Sequence, residues 1–126
     1  MTRDEWKLIS WFTKDEMKCK CECEEEVMNF IFMSKIDWLR KVLGFPLLVS
    51  SGYRCKRWDD LLGGYRNHLG HAIDILIYGD RAIQLLSLAI KDKNDFTGFG
   101  LQQEGFYKKR FIHLDDTSGP RRLWTY

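Results

Sequence analysis

Apolar and polar residues change rhythm several times along this chain, and each rhythm predicts an element. "DEWKLISWF" opens with a short apolar stretch. In "FTKDEMKC", Thr13 is followed three residues later by Glu16, the capping-box pattern of a helical turn. From Glu24 to Val42 the spacing predicts the first long helix, with Val27, Phe30, Ile31, Ser34, Trp38 and Leu39 near i, i+3, i+4 and i+7. Gly44 stops it and Pro46 prevents its return. "PLLVSSGYR" is apolar and β-rich and exits at Ser51-Gly52, so it predicts a strand. "CKRWDDLLGGY" reads as irregular or briefly helical.

"HAIDILIY" is nearly all apolar and predicts a central strand. "GDRAIQLLSLAIKDK" predicts a second helix, with Asp80 as N-cap and Ile83, Leu86, Leu88 and Ile90 on its buried side. "TGFGLQ" is a short strand with glycine on alternate positions. "RFIHLDD" alternates Phe111, His113 and Asp115 against Ile112 and Leu114, the last clear strand before "RRLWTY" closes the chain. The order is helix, strand, loop, strand, helix, strand, strand. It predicts an α+β fold, a small, mainly antiparallel sheet with helices packed on its outside.

Size and composition narrow this further. At 126 residues the chain is one domain, residues 1–126, and 44% hydrophobic with 14% aromatic residues is enough for one core. A net charge of +2 with 30% charged residues argues against a dedicated nucleic-acid binder. The basic residues are local, at Lys108, Lys109, Arg110, Arg121 and Arg122, and read as solvated surface or as contacts to an anionic ligand. No apolar run approaches the roughly 18 residues that span a bilayer, and "MTRDEWKLISWF" does not resemble a signal peptide. The expectation is synthesis in the cytoplasm, no membrane partner and a monomer.

The cysteines are Cys19, Cys21, Cys23 and Cys55, the first three as C-x-C-x-C. Alternation puts those three on one side if the segment is extended. A four-thiolate zinc site with Cys55, a disulfide involving Cys55, and free thiols all remain open.

The candidate chemistry lies in the two central strands. His113 and Asp115 share one face of theirs, because strand side chains repeat every two residues. Asp74 lies between Ile73 and Ile75, where a carboxylate is expensive to bury unless it is paired or binds a cation. His68 and His71 sit just before it. Imidazoles and a carboxylate converging from two strands suit zinc, and a catalytic zinc keeps one position open for water. The plainer alternative pairs Asp74 with Arg54 and leaves His113 as a hydrogen-bonded core residue.

Several motifs in order resemble the M15 family of zinc D-alanyl-D-alanine carboxypeptidases and phage endolysins, in its small, phage-type branch. "FTKDEMKCKCEC" resembles that branch's cysteine-bearing opening, and "LRKVLGFPLLVSSGYRC" its helix and Ser-Gly-Tyr-Arg strand. "GGYRNHLGHAIDI" resembles its Gly-Gly turn and His-x-x-Gly-x-Ala-x-Asp motif. "RAIQLLSLAI", "FTGFGL" and "FIHLDD", followed by "RRLW", complete the match almost end to end. The resemblance implies the hedgehog/D-Ala-D-Ala-peptidase-like fold and a zinc (Zn2+) cofactor. Asp74 and His113 fall on zinc ligands. Arg54 falls on the arginine that holds a substrate carboxylate, with Ser51 in the same motif.

This chain departs from the family pattern twice. Aligned on "GHAID" without a gap, Asn67 takes the first ligand position, and with one deletion His68 does. Imidazole is much the better zinc ligand, so His68 is preferred, with His71 a further candidate. The acidic residue three before the last histidine is Arg110 here. Asp115 becomes the candidate catalytic base, with orientation of His113 as its alternative role. Asp116 and Glu104 follow.

The function implied is zinc-dependent cleavage of a peptidoglycan stem or cross-link peptide next to a D-amino acid. The partner is then a cell-wall peptide, reached after release as by a phage lysin. The alternative is a catalytically impaired fold acting as a wall-peptide binding module or phage structural module.

Overall fold

The computed structural model describes residues 1–64 and 68–126. Among them, the chain starts with two short helices, α1 (Arg3–Lys7) and α2 (Lys14–Met17). Both carry complete capping boxes, Thr2 with Glu5 and Thr13 with Glu16. The apolar opening stretch is thus a helix, which its hydrophobic pattern did not suggest. The long helix α3 (Phe30–Leu43) begins six residues later than the spacing predicts. Its start is set by Asn29, whose side chain accepts from the Phe32 amide at 2.9 Å. The residues before it are held extended instead. Glu26 accepts from Trp6 Nε1 at 2.8 Å and from the Met28 amide at 2.7 Å. Gly44 ends α3 in the left-handed conformation, at φ 76°.

Strand β1 (Leu48–Ser51) is followed by α4 (Lys56–Leu61), β2 (Ala72–Leu76) and α5 (Gly79–Ala89). Then come β3 (Gly98–Gln102), β4 (Phe111–Asp115) and β5 (Arg122–Thr125). The sheet order is β1-β2-β4-β3-β5, antiparallel except where β5 lies parallel to β3. This is the α+β arrangement of the sequence reading, with β5 added from the closing "RRLWTY". No helix among the described residues is long and apolar enough to cross a membrane.

The sheet is two-faced. Ile73 and Ile75 of β2 stand opposite Leu114 and Ile112 of β4, and Phe99 and Leu101 of β3 join them. These residues pack with α3 and α5 in one apolar cluster. The alternate positions, Asp74, His113, Asp115, Gly98 and Gly100, face the other way. A bulge in β1 adjusts this second face. Val49 pairs with Ile75 but Ser51, not Ser50, pairs with Asp74.

The helix faces need correction. In α3 the buried residues are Phe32, Met33, Ile36 and Leu39, while Val27 and Ile31 are exposed. Residues 30–33 are all apolar, so periodicity alone admits more than one face. In α5 the buried residues are Ala82, Leu85 and Ala89, whereas Ile83 and Ile90 are exposed. The alanines let the helix come close, and a pattern weighted toward large side chains misses them. Asp80 is not the N-cap of α5. Tyr78 is, and Asp80 sits in the first turn, accepting from Gln84 Nε2 at 2.7 Å.

The corrected face of α3 makes a direct test. Phe32 is 0% exposed and Ile31 66%. Phe32→Ala should cost about 3–5 kcal/mol, whereas Ile31→Ala should cost no more than about 0.5 kcal/mol. Urea unfolding of the two variants measures this, and equal losses would reinstate the earlier face.

Candidate metal centre

The register of two central strands sets the site. Asp74 on β2 and His113 on β4 are direct cross-strand partners. His113 Nδ1 lies 2.8 Å from Asp74 Oδ1. On its other side, His113 Nε2 lies 2.8 Å from Asp115 Oδ2. The Asp115 carboxylate only accepts, so Nε2 carries a proton toward it. His113 Nδ1 is therefore the atom turned toward Asp74.

His68 arrives from the turn before β2. Its Nδ1 meets the Gly52 carbonyl oxygen at 2.8 Å. That oxygen only accepts, so Nδ1 donates to it, and Nε2 is the nitrogen left facing Asp74. Nε2 lies 3.4 Å from Asp74 Oδ1. The two imidazole rings stand 5.1 Å apart, centroid to centroid. His68, Asp74 and His113 are buried, and each offers one ligand atom within 4.8 Å of the others.

This donor set fits a metal such as zinc: two imidazole nitrogens and one carboxylate oxygen, converging from one side. Each histidine is fixed through its second nitrogen by a carbonyl or a carboxylate, the usual support for a ligating imidazole. Ionisation follows the same geometry. Burial works against the charge on Asp74, but hydrogen bonds from His113 and His68 outweigh it and hold the carboxyl well below the usual carboxylate range. Asp115 is likewise held low, burial being outweighed by His113, Thr117 and Arg122. Burial works against the imidazolium of His113, yet hydrogen bonds to Asp115 and Asp74 raise its pKa. The proton between Asp74 and His113 thus occupies the position of a cation.

The site opens into a cavity of about 900 Å³. Arg54 lines it, beside the edge formed by His68, Asp74 and His113. Its Nε donates to Ser51 Oγ at 3.1 Å, and its Nη1 and Nη2 lie 3.3 Å from Asp59 Oδ1 and 3.5 Å from Asp74 Oδ2. The pairing of Asp74 with Arg54 therefore coexists with the histidine cluster. Ser51 steadies Arg54 from the end of β1.

Asp115 stands elsewhere. It is 0% exposed and does not line the cavity. Arg122 Nη2 donates to its Oδ1 at 2.7 Å, and the Thr117 hydroxyl at 2.8 Å. Gly98 makes the room for it, because a Cβ there would collide with the Asp115 carboxylate. His71 leaves the cluster and pairs with Asp116 Oδ1 at 2.8 Å. Asp116 also binds Lys35, and Glu104 is exposed away from the cavity. Arg110 donates to the Gly105 carbonyl. Asn67 lies outside the described residues.

The remaining cavity wall is mostly what sequence reasoning missed; it had left Arg122 open between solvated surface and contact to an anionic ligand. Arg122, Trp124 and Tyr126 all line it, with Phe111 of β4. Their signal was the period of two in "RRLWTY", which sets them against Leu123 and Thr125. Trp124 lies on Gly100, where a Cβ would come 2.7 Å from its ring.

The sequence model of one family, described as Peptidase M15, matches residues 10–115. No curated protein matches the chain significantly.

Two outcomes follow from the geometry. Gly98→Ala should push Asp115 off His113 and weaken zinc binding about 10- to 100-fold, the usual cost of losing such a support, measured by chelator competition. Unchanged affinity would mean that Asp115 does not orient the ligand.

The second concerns pH in the presence of chelator. Asp74 and Asp115, depressed on folding, stabilise the protein above their unfolded pKa of about 4 and lose this as pH falls. His113, raised on folding, stabilises below its unfolded pKa of about 6.5 and loses this as pH rises through its folded value. The metal-free melting temperature should therefore be highest between about pH 4.5 and 6.5. A flat profile from there to pH 9 would remove the ion-pair account of His113.

Proposed function

The chain belongs to the Peptidase M15 family, a family of metallopeptidases, and on that premise we propose that it is a zinc-dependent peptidoglycan peptidase. It would cleave a stem or cross-link peptide bond next to a D-amino acid. The observation that carries this is the meeting of His68 Nε2, Asp74 Oδ1 and His113 Nδ1 at one edge of a cavity that Arg54 also lines.

Zinc bound by these three residues would supply a Lewis acid and an acidified water at neutral pH. The chain's own residues do the rest. Arg54 offers a planar fork suited to a substrate carboxylate, positioned by Ser51 and Asp59. Arg122 adds a second positive charge within the same cavity. Phe111, Trp124 and Tyr126 give an apolar wall that displaces water from the bound peptide. The Tyr126 phenol, protonated near neutrality like any tyrosine, offers a hydrogen-bond donor at the cavity wall. In this scheme Asp115 holds the His113 ring and its proton in place. That role replaces proton shuttling, since its oxygens are engaged behind the ring by His113, Arg122 and Thr117.

A second reading has its own support. Among the described residues lining the cavity, Asp74 has the only carboxylate side chain. A peptidase needs a group to move protons, and without one the same cavity would hold a wall peptide and not cut it.

Incubation of zinc-loaded protein with purified peptidoglycan, followed by mass spectrometry of the released peptides, separates the two. Turnover by the wild type, with a loss of roughly 100-fold or more in His68→Ala, is the expected result for a ligand, which should cost at least as much as a supporting group. Zinc-loaded wild type that binds wall peptide and releases nothing would establish the binding module instead.

A further inference from the structure

Cys19, Cys21, Cys23 and Cys55 form a second cluster, none of them lining the cavity. We propose that these four cysteines hold a structural zinc ion, a four-thiolate clip fastening the chain before α3 to the segment that carries Arg54.

All four are unbridged, and their sulfurs lie within 4.8 Å of one another. Cys21 Sγ is 3.4 Å from Cys19 Sγ, 3.1 Å from Cys23 Sγ and 3.7 Å from Cys55 Sγ. A tetrahedral zinc with bonds of about 2.3 Å would space its sulfurs by about 3.8 Å, so a small movement outward accommodates the ion. Four soft sulfur donors select zinc over the harder cations.

A second observation points the same way. Each sulfur accepts one backbone N–H: Cys19 from Cys55 at 3.3 Å, Cys21 from Cys23 at 3.3 Å, Cys23 from Glu25 at 3.5 Å and Cys55 from Trp58 at 3.4 Å. A neutral thiol is a weak acceptor, whereas a charged acceptor makes a much stronger bond. One amide per sulfur is therefore an environment built for thiolates. The chain bends to achieve it. Glu24 takes a left-handed φ of 56°, and the Cys19 amide closes the loop onto the Glu25 carbonyl at 2.7 Å. The three clustered sulfurs are brought toward one another by this loop, not by the alternation of an extended segment.

The position gives the clip a purpose. Cys55 caps α4 and directly follows Arg54. The Tyr53 amide donates to the Met17 carbonyl at 2.8 Å, next to the Cys55–Cys19 contact. On the other side, the Arg54 amide donates to the His68 carbonyl at 2.7 Å, and Gly52 binds the His68 ring. Residues 52–55 are thus gripped between the thiolates and the first histidine of the other cluster. The clip braces Arg54 and His68 without touching the cavity. It does not depend on the catalytic reading.

The test is metal analysis of the whole chain purified without chelator, with cobalt substitution. Wild type should hold two zinc equivalents, and its cobalt form should show intense sulfur-to-cobalt charge-transfer absorption. His68→Ala with His113→Ala should keep one equivalent and those bands. Cys21→Ser with Cys23→Ser should lose one equivalent and the bands. Thiol titration of the wild type serves if the cysteine variant fails to fold. The four thiols should react slowly, then quickly once a chelator removes one zinc. A single zinc equivalent lost only with the cysteines would uphold the clip while sinking the peptidase centre. Iron in place of zinc, no charge-transfer bands, or four thiols reacting at once in the untreated protein would overturn the clip.

Discussion

A carboxylate placed in the middle of a sheet must be compensated, and the pairing of Asp74 with His113 across β2 and β4 does this. Much of the surrounding structure serves that pairing. Asp115 fixes the far side of the His113 ring, and Arg122 with Thr117 fixes Asp115. The Gly52 carbonyl turns His68 so that its free nitrogen joins the pair. The bulge in β1 brings Ser51 opposite Asp74, and so sets Arg54 against the second carboxylate oxygen. Each contact satisfies a polar group that would otherwise cost free energy to bury. The same contacts leave one donor atom of each of His68, Asp74 and His113 within 4.8 Å of the others.

The central strands were legible because their alternation is strict. One face of β2 and β4 is branched and apolar, and the other carries the chemistry. His68 stood out in the sequence as the better of two donors beside a glycine-rich turn, and the structure brings it to Asp74 and His113. What stayed hidden depends on contacts between distant segments. The bulge is one extra residue without a composition of its own. The buried side of α3 is chosen among four consecutive apolar residues by what packs on it. Asp115 has the right face and spacing for a role in the cavity, and its depth is set by the absence of a side chain at Gly98 on a neighbouring strand. β5 pairs in parallel with β3 at the sheet edge, and that partner is not visible locally.

The two clusters divide the labour between halves of the molecule. The histidine and aspartate cluster belongs to β2, β4 and the turn before β2, and sits at the cavity. The cysteine cluster belongs to the loops and joins the helical opening to the end of β1. Residues 52–55 connect them, with one end on the His68 ring and the other on the Cys19 sulfur.

Strand β3 contributes no ligand and no charge beside Asp115 and His113; it contributes the vacant positions at Gly98 and Gly100, into which Asp115 and Trp124 settle. In a saturation mutagenesis screen such positions behave like chemical ones, since any side chain displaces the group above. An alignment scored by reactive residue types would pass over them. The room left by two glycines is as much a part of this site's specification as the atoms that fill it.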